Sequence, residues 1–226
     1  VTPRMIDIYF KYALQYGKVN QKTHKREPLA VRSVRSYKSI LYAVFNQAVI
    51  DELVKMNPVL TISVHGKKNA DYSEELLFLT EEEISDLIHF LSERYPRLVG
   101  IAFMGAYYGL RRSEILGLKW SAVDFTKKTI SINHTVVRVK TVTTSNSTKT
   151  YSSKRTLNLF DTAEKCLLQI KREQEENKAF FKRDYKNKEG YVFTWENGEA
   201  YDPNYISRTF NHATKAFGRP EITLHK

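Results

Sequence analysis

The sequence predicts a mainly α fold with a small antiparallel β-sheet, split into a short helical domain and a longer α+β domain. Three observations carry this. Apolar residues recur at helical spacing between Ile6 and Ala48 and again between Ile84 and Tyr108. The period then changes to alternation between Ile130 and Leu159. A polar, aperiodic stretch from Ser63 to Leu79 separates the two patterns and reads as a linker, which puts the domains at 1–64 and 80–226 and the linker at 65–79. A chain of 226 residues can give both domains a core.

Thr2-Pro3 reads as an N-cap with proline at the first helical position, and Ile6, Phe10, Ala13 and Leu14 follow on one face. Gly17 closes that helix, and Lys18 to Pro28 reads as a polar basic loop. In the next helix Val34, Tyr37, Leu41, Val44, Phe45 and Ala48 form an apolar stripe, with Arg32, Arg35 and Lys38 opposite. Asn57-Pro58 stops the segment after this helix.

Thr80-Glu81-Glu82-Glu83 is a capping box, with Leu79 and Ile84 as its hydrophobic staple and Ile84, Leu87, Ile88 and Leu91 facing inward. Pro96 interrupts the pattern, and the apolar segment Leu98 to Tyr108 predicts a helix buried on all sides before Gly109 turns the chain. Ile130 and Ile132, then Val137 and Val139, predict strands, and Thr156 to Leu159 another. The Thr-, Ser- and Lys-rich stretch from Lys140 to Ser153 is too polar for a core. Asp161 and Glu164 suggest a capping box for a helix through Ala163, Leu167 and Ile170. Tyr191-Val192-Phe193 reads as a short strand before an Asn197-Gly198 turn. Asp202-Pro203 opens a last helix through Ile206, Phe210, Ala213 and Phe217, with Gly218 as its cap.

The formal net charge of +11 favours a polyanionic partner, nucleic acid before membrane. Up to Ala70 the only acids are Asp7, Glu27, Asp51 and Glu52, so the first domain is strongly basic. Taken as a set, Arg32, Arg35 and Lys38 suit a phosphate-tracking surface, although any one of them could simply be solvated. The single cysteine, Cys166, excludes an internal disulfide framework and a cysteine-rich zinc site, which fits a reducing compartment. The longest apolar run, Leu98 to Leu110, is too short to span a bilayer, and Val1 in place of methionine suggests a fragment or a processed piece.

The chemistry concentrates in Gly109-Leu110-Arg111-Arg112-Ser113-Glu114-Ile115, wedged between two apolar segments. A guanidinium there needs an anionic or hydrogen-bonding partner. Arg111 and Arg112 stand about 100° apart on a helix, so one can face a site while the other faces the surface or Glu114. On spacing alone Arg111 could equally pair with Glu114 and merely hold the helix start.

That string, with Leu118, Trp120 and Asp124 behind it, resembles the first-arginine box of the tyrosine recombinases, the phage and transposon integrase family. A tyrosine, Tyr108, stands where the family often has threonine. The resemblance implies a helical core-binding domain followed by the α+β catalytic domain, with Arg111 as catalytic arginine and Arg112 on the variable position. The segment Lys149 to Leu159 resembles the family's β-hairpin, which implies Lys149 as the general acid that protonates the leaving 5′ oxygen, with Lys140 a weaker candidate. Lys154 and Arg155 would then touch phosphates, as would Arg112. Thr223-Leu224-His225-Lys226 resembles the start of the histidine-to-arginine box, implying His225 as the catalytic histidine. The second arginine and the nucleophilic tyrosine would follow Lys226.

The roles are physically coherent. Transesterification builds charge on the non-bridging oxygens of a five-coordinate phosphorus, and fixed cations aimed at that charge lower the barrier. Arginine suits this because its planar fork stays charged and reaches two oxygens. The implied function is site-specific DNA recombination without metal or other cofactor, through a 3′-phosphotyrosyl intermediate. Double-stranded DNA is the expected partner, bound by a homo-tetramer on two duplexes in the bacterial cytoplasm or nucleoid. The rival is a non-catalytic DNA-binding regulator related to integrases, in which Arg111, Lys149 and His225 need not converge. A metal-dependent nuclease is more distant, since the acids form no obvious two-metal set.

Overall fold

The computed structural model describes residues 1–65, 79–138, 142–145 and 154–224. By its contacts the chain divides into two compact units, Val1–Glu75 and Leu76–Lys226, a division that falls inside the stretch 65–79.

The first unit is built on two helices. In α1 (Pro3–Tyr16) the Thr2 hydroxyl accepts from the Met5 amide, and Ile6, Phe10 and Ala13 face inward. The polar stretch after Gly17 is more ordered than a loop. Lys18–Val19 (β1) pairs antiparallel with Arg26–Glu27 (β2). Asn20 holds that turn, accepting from the Lys22 and Thr23 amides and donating to Glu27. An Asx turn of this kind stabilises a tight reversal without apolar residues, so hydropathy gives no sign of it.

Helix α2 (Val31–Ile50) buries only Val34 fully; Leu41 and Phe45 are half-buried, while Tyr37 and Val44, expected on the same stripe, are exposed. The core is completed from beyond the helix by Val59, Ile62 and Val64. Asn57 fastens that segment: its side chain donates to the Tyr42 carbonyl at 3.0 Å and to Asn46 at 2.8 Å and accepts from the Val59 amide at 2.9 Å.

In the second unit, α3 (Glu81–Arg94) starts with the expected reciprocal box between Thr80 and Glu83 and buries Leu87 and Leu91. Helix α4 (Pro96–Tyr108) buries Leu98, Gly100, Ile101, Ala102 and Met104, but Ala106 and Tyr107 in its last turn are exposed, so it is not covered on every side. A short helix, α5 (Arg112–Leu116), follows. The strands Val123–Asp124 (β3), Thr129–Ile132 (β4) and Arg155–Asn158 (β7) form an antiparallel sheet in the order β3-β4-β7, and Thr135–Arg138 (β5) pairs with Val142–Ser145 (β6).

The phase of β5 differs from expectation. Val136 is inside and Val137 only half-buried, because His134 and Val136 share the buried face; a one-residue change of phase exchanges the two faces of a strand. Val139 lies outside the described residues.

Helix α6 (Asp161–Phe181) begins one residue earlier than expected, with Phe160 at the N-cap and no side-chain cap. Asp161 and Glu164 therefore sit in its first turn, where their charges suit the helix dipole, and Glu164 pairs with Lys128. Tyr191, Val192 and Phe193 are buried, but among the described residues this stretch makes isolated bridges rather than a strand: Lys119 pairs with Tyr191, and just beyond it Thr194 pairs with Ala200. Helix α7 (Pro203–Ala216) is capped by Asp202. It ends in a Schellman motif, in which the Gly218 amide donates to Lys215 and the Arg219 amide to Thr214. The chain then returns to the core at Ile222, whose carbonyl accepts from the Thr214 hydroxyl. Among the described residues no helix is long and apolar enough to cross a membrane.

Candidate functional site

Gly109 ends α4 in the left-handed region, at φ 59° and ψ 28°, a conformation that an L side chain resists. This turn sends Leu110 into the core and leaves Arg111 as the extended N-cap of α5, with Arg112 as its first helical residue. The two arginines therefore diverge. Gly117 closes α5 against the start of β5. A Cβ there would stand 2.6 Å from the His134 carbonyl oxygen, so the close approach requires glycine.

Glu114 organises the site. It lies in the apolar run of α5 with only 3% of its side chain exposed. A carboxylate so placed must be paired. One oxygen, Oε2, accepts from the Arg111 amide at 3.0 Å and from Arg155 Nη2 at 2.9 Å; the other, Oε1, accepts from Arg111 Nη1 at 3.1 Å and Arg155 Nη1 at 3.3 Å. Burial pushes the Glu114 carboxyl up, but hydrogen bonds from Arg155 and from the Arg111 amide, with the attraction of Arg155, outweigh it and hold it below its ordinary value. Arg111 itself keeps 69% of its side chain exposed while the carboxylate fixes its direction.

Beside Arg111 lies a cavity of about 490 Å³, with Gly109, Leu110, Phe210, Thr223 and Leu224 in its wall. The chain just before His225 thus lines the same cavity as Arg111. His225 itself, Lys149 and Lys140 lie outside the described residues.

The other expected site residues separate into two groups. Arg32 and Arg35 are exposed and Lys38 half-buried along α2 in the first unit. In the second unit Lys154 is exposed just before β7. Arg112, expected at DNA phosphates, turns onto α7, donating to the Ser207 hydroxyl at 2.6 Å and the Pro203 carbonyl at 3.3 Å, and its buried Nε has no partner among the described residues. As the first residue of a helix whose next turn is buried, it finds α7 rather than solvent in front of it. Arg155, also expected at phosphates, is the first residue of β7, pairs with Ile132 of β4 and reaches Glu114. Sequence reasoning misses the Arg155–Glu114 pair. The available signal is the glutamate beside Ile115-Leu116-Gly117-Leu118, which demands more cationic partners than its neighbour alone.

A family model described as the phage integrase family matches residues 77–226. A curated relative, a XerC-like tyrosine recombinase of Caldanaerobacter subterraneus subsp. tengcongensis, is 26% identical over 207 residues, covering 86% of this chain and 52% of the relative. The chain thus spans about half the length of that relative. Among solved structures, the Tn1549 transposon integrase in complex with transposon right end DNA superposes with a TM-score of 0.74 at 18% identity, covering 100% of this chain and 69% of that one. A lambda integrase tetramer bound to a Holliday junction gives 0.62 at 14% identity, covering 96% and 51%. At these identities the structural likeness speaks for the fold: mostly helical, with small antiparallel sheets.

Proposed function

We propose, for a chain that belongs to the phage integrase family, that the complete protein is a site-specific DNA recombinase that integrates or excises a mobile element. The observation that carries this reading is the exposed Arg111 guanidinium, aimed by a buried glutamate, beside a cavity whose wall includes Thr223 and Leu224. Such a guanidinium suits the non-bridging oxygens of a backbone phosphate.

In this reading a tyrosine hydroxyl from the segment after Lys226 attacks the scissile phosphorus. A phosphotyrosyl bond forms to the 3′ side and the bond to the 5′ oxygen breaks. Arg111 and His225 bind the non-bridging oxygens, and Lys149 gives the 5′ oxygen its proton. The bond energy is conserved, so strands rejoin without a nucleotide cofactor or a metal. Arg32, Arg35, Lys38 and Lys154 follow the duplex through phosphate contacts, while the geometry favours internal work for Arg112 and Arg155. Double-stranded DNA is the substrate, and the active form is a homo-tetramer on two duplexes in the bacterial cytoplasm or nucleoid.

The test is Arg111→Lys in the full-length protein, with a nicked duplex that traps the covalent adduct. Adduct formation should fall by roughly a hundredfold to a thousandfold, the cost of removing a transition-state donor, with DNA affinity changed only a few-fold. A wild-type protein that binds DNA and forms no adduct would instead favour a non-catalytic DNA-binding relative.

A further inference from the structure

Glu114 has two cationic partners among the described residues, and the charge left over determines what Arg111 can offer a phosphate. Among the described residues the cluster holds one buried negative charge against two positive ones. Arg155 engages the carboxylate through both terminal nitrogens, at 2.9 and 3.3 Å. Arg111 gives it only one terminal nitrogen, at 3.1 Å, together with its backbone amide. The place of Arg155 at the start of β7, paired with Ile132 of β4, fixes where its side chain begins. Were Arg155 absent, the carboxylate, 3% exposed and cut off from solvent, would depend on Arg111 for its counter-charge. A guanidinium bound to neutralise a buried carboxylate presents little net charge to anything else, and its free fork is drawn inward.

We propose that Arg155 is a positioning residue: it takes up the charge of Glu114, and so leaves Arg111 net positive and turned outward to receive a phosphate. Arg155 does not touch the DNA backbone itself. This rests on reading the site as one that cleaves a phosphodiester.

The experiment uses the full-length protein and the same nicked duplex, with the rate of adduct formation and the salt dependence of DNA affinity as its two readouts. Arg155→Met should slow adduct formation by about tenfold to a hundredfold, less than loss of a direct transition-state donor. Its slope of log affinity against log salt should match wild type, because no phosphate contact is lost. Arg155→Lys, which keeps the cation, should recover most of the rate. The decisive variant is the double substitution Glu114→Gln with Arg155→Met. It removes the buried negative charge yet leaves an amide oxygen to accept from the Arg111 backbone; because the contact that aims the Arg111 guanidinium is weakened as well, recovery should be partial, with a rate several-fold above that of Arg155→Met alone.

A salt slope reduced by about one in Arg155→Met, with no recovery in the double variant, would make Arg155 a phosphate contact and overturn the proposal. An unchanged slope with no recovery would reduce it to a brace of the fold and overturn it equally. If methionine at 155 prevents folding, Arg155→Gln, alone and with Glu114→Gln, carries the same expectations. A wild-type protein that forms no adduct sinks the functional reading as well, whereas an active wild type with unrecovered variants sinks this inference alone.

Discussion

The two units reach their stability by different means. The second buries a continuous core contributed by α3 to α7 and the β3-β4-β7 sheet, and large side chains such as Leu91, Leu98, Ile101 and Ile115 are closed off entirely. Among its described residues the first has a core of seven hydrophobic side chains, Ile6, Phe10, Ala13, Val34, Val59, Ile62 and Val64, and leaves Met5, Ile8, Tyr9, Ile40, Val44, Ile50 and Leu53 exposed. Its helices are as regular as those of the second unit. What differs is the apolar area removed from water, and hence the weight that falls on polar devices such as the Asn57 clip and the Asn20 turn. A helix predicted from its stripe is therefore not yet a helix with a partner.

The contrast can be broken most forcefully from the core side. Ile101→Ala, at a site with no exposure, should destabilise the second unit by about 2–5 kcal/mol, read as a drop in its unfolding midpoint in urea. A cost below about 1 kcal/mol would mean that this core is looser than its burial indicates. Asn57→Ala comes next. It removes two hydrogen bonds that tie its segment to α2 and a third that holds the Val59 amide, and leaving buried polar groups unsatisfied should cost the first unit about 1–3 kcal/mol. An effect on the second unit instead would undo the distinction between the two.

A third effect is smaller and depends on pH. The Glu114 carboxyl is held below its ordinary value in the folded state, so its pairing contributes stability above the usual carboxylate range and loses it as pH falls through the lowered value. Wild-type protein should therefore lose second-unit stability on acidification more steeply than Glu114→Gln, measured by urea titrations at neutral and acidic pH. Parallel curves would show that Glu114 is not held ionised by its two arginines.

Much of this is legible in the sequence where local chemistry decides. The Thr80–Glu83 box, the Thr2 and Asp202 caps and the turn at Gly109 all stand where the residues put them, because a cap is satisfied within four residues. The arginine box is legible for the same reason, as a short string with a charged pair in apolar surroundings. What escapes depends on distant partners. The inward face of β5 is chosen by His134, which meets Tyr191 at 3.0 Å. The fate of Arg112 is set by Ser207, and that of Arg155 by Glu114, 95 and 41 residues away in the chain. No periodicity encodes which arginine meets a carboxylate and which packs onto another helix.

The smallest predicted effect, at Val44, tests the comparison most sharply, because Val34 sets the same residue type beside it on one helix. Val34 and Val44 both belong to the apolar stripe that the sequence draws along α2, yet Val34 is 0% exposed and Val44 57%. Serine and valine have similar helix propensity, so the helix itself is indifferent to the exchange. Val34→Ser should cost about 2–3 kcal/mol, from lost apolar burial and a hydroxyl enclosed without a partner. Val44→Ser should stay within about 0.5 kcal/mol, as at other exposed sites. Equal losses at both positions, increasing with protein concentration, would mean that the face carrying Val44 and Ile40 is covered in solution by a second molecule; the first unit would then complete its core by association rather than by folding alone.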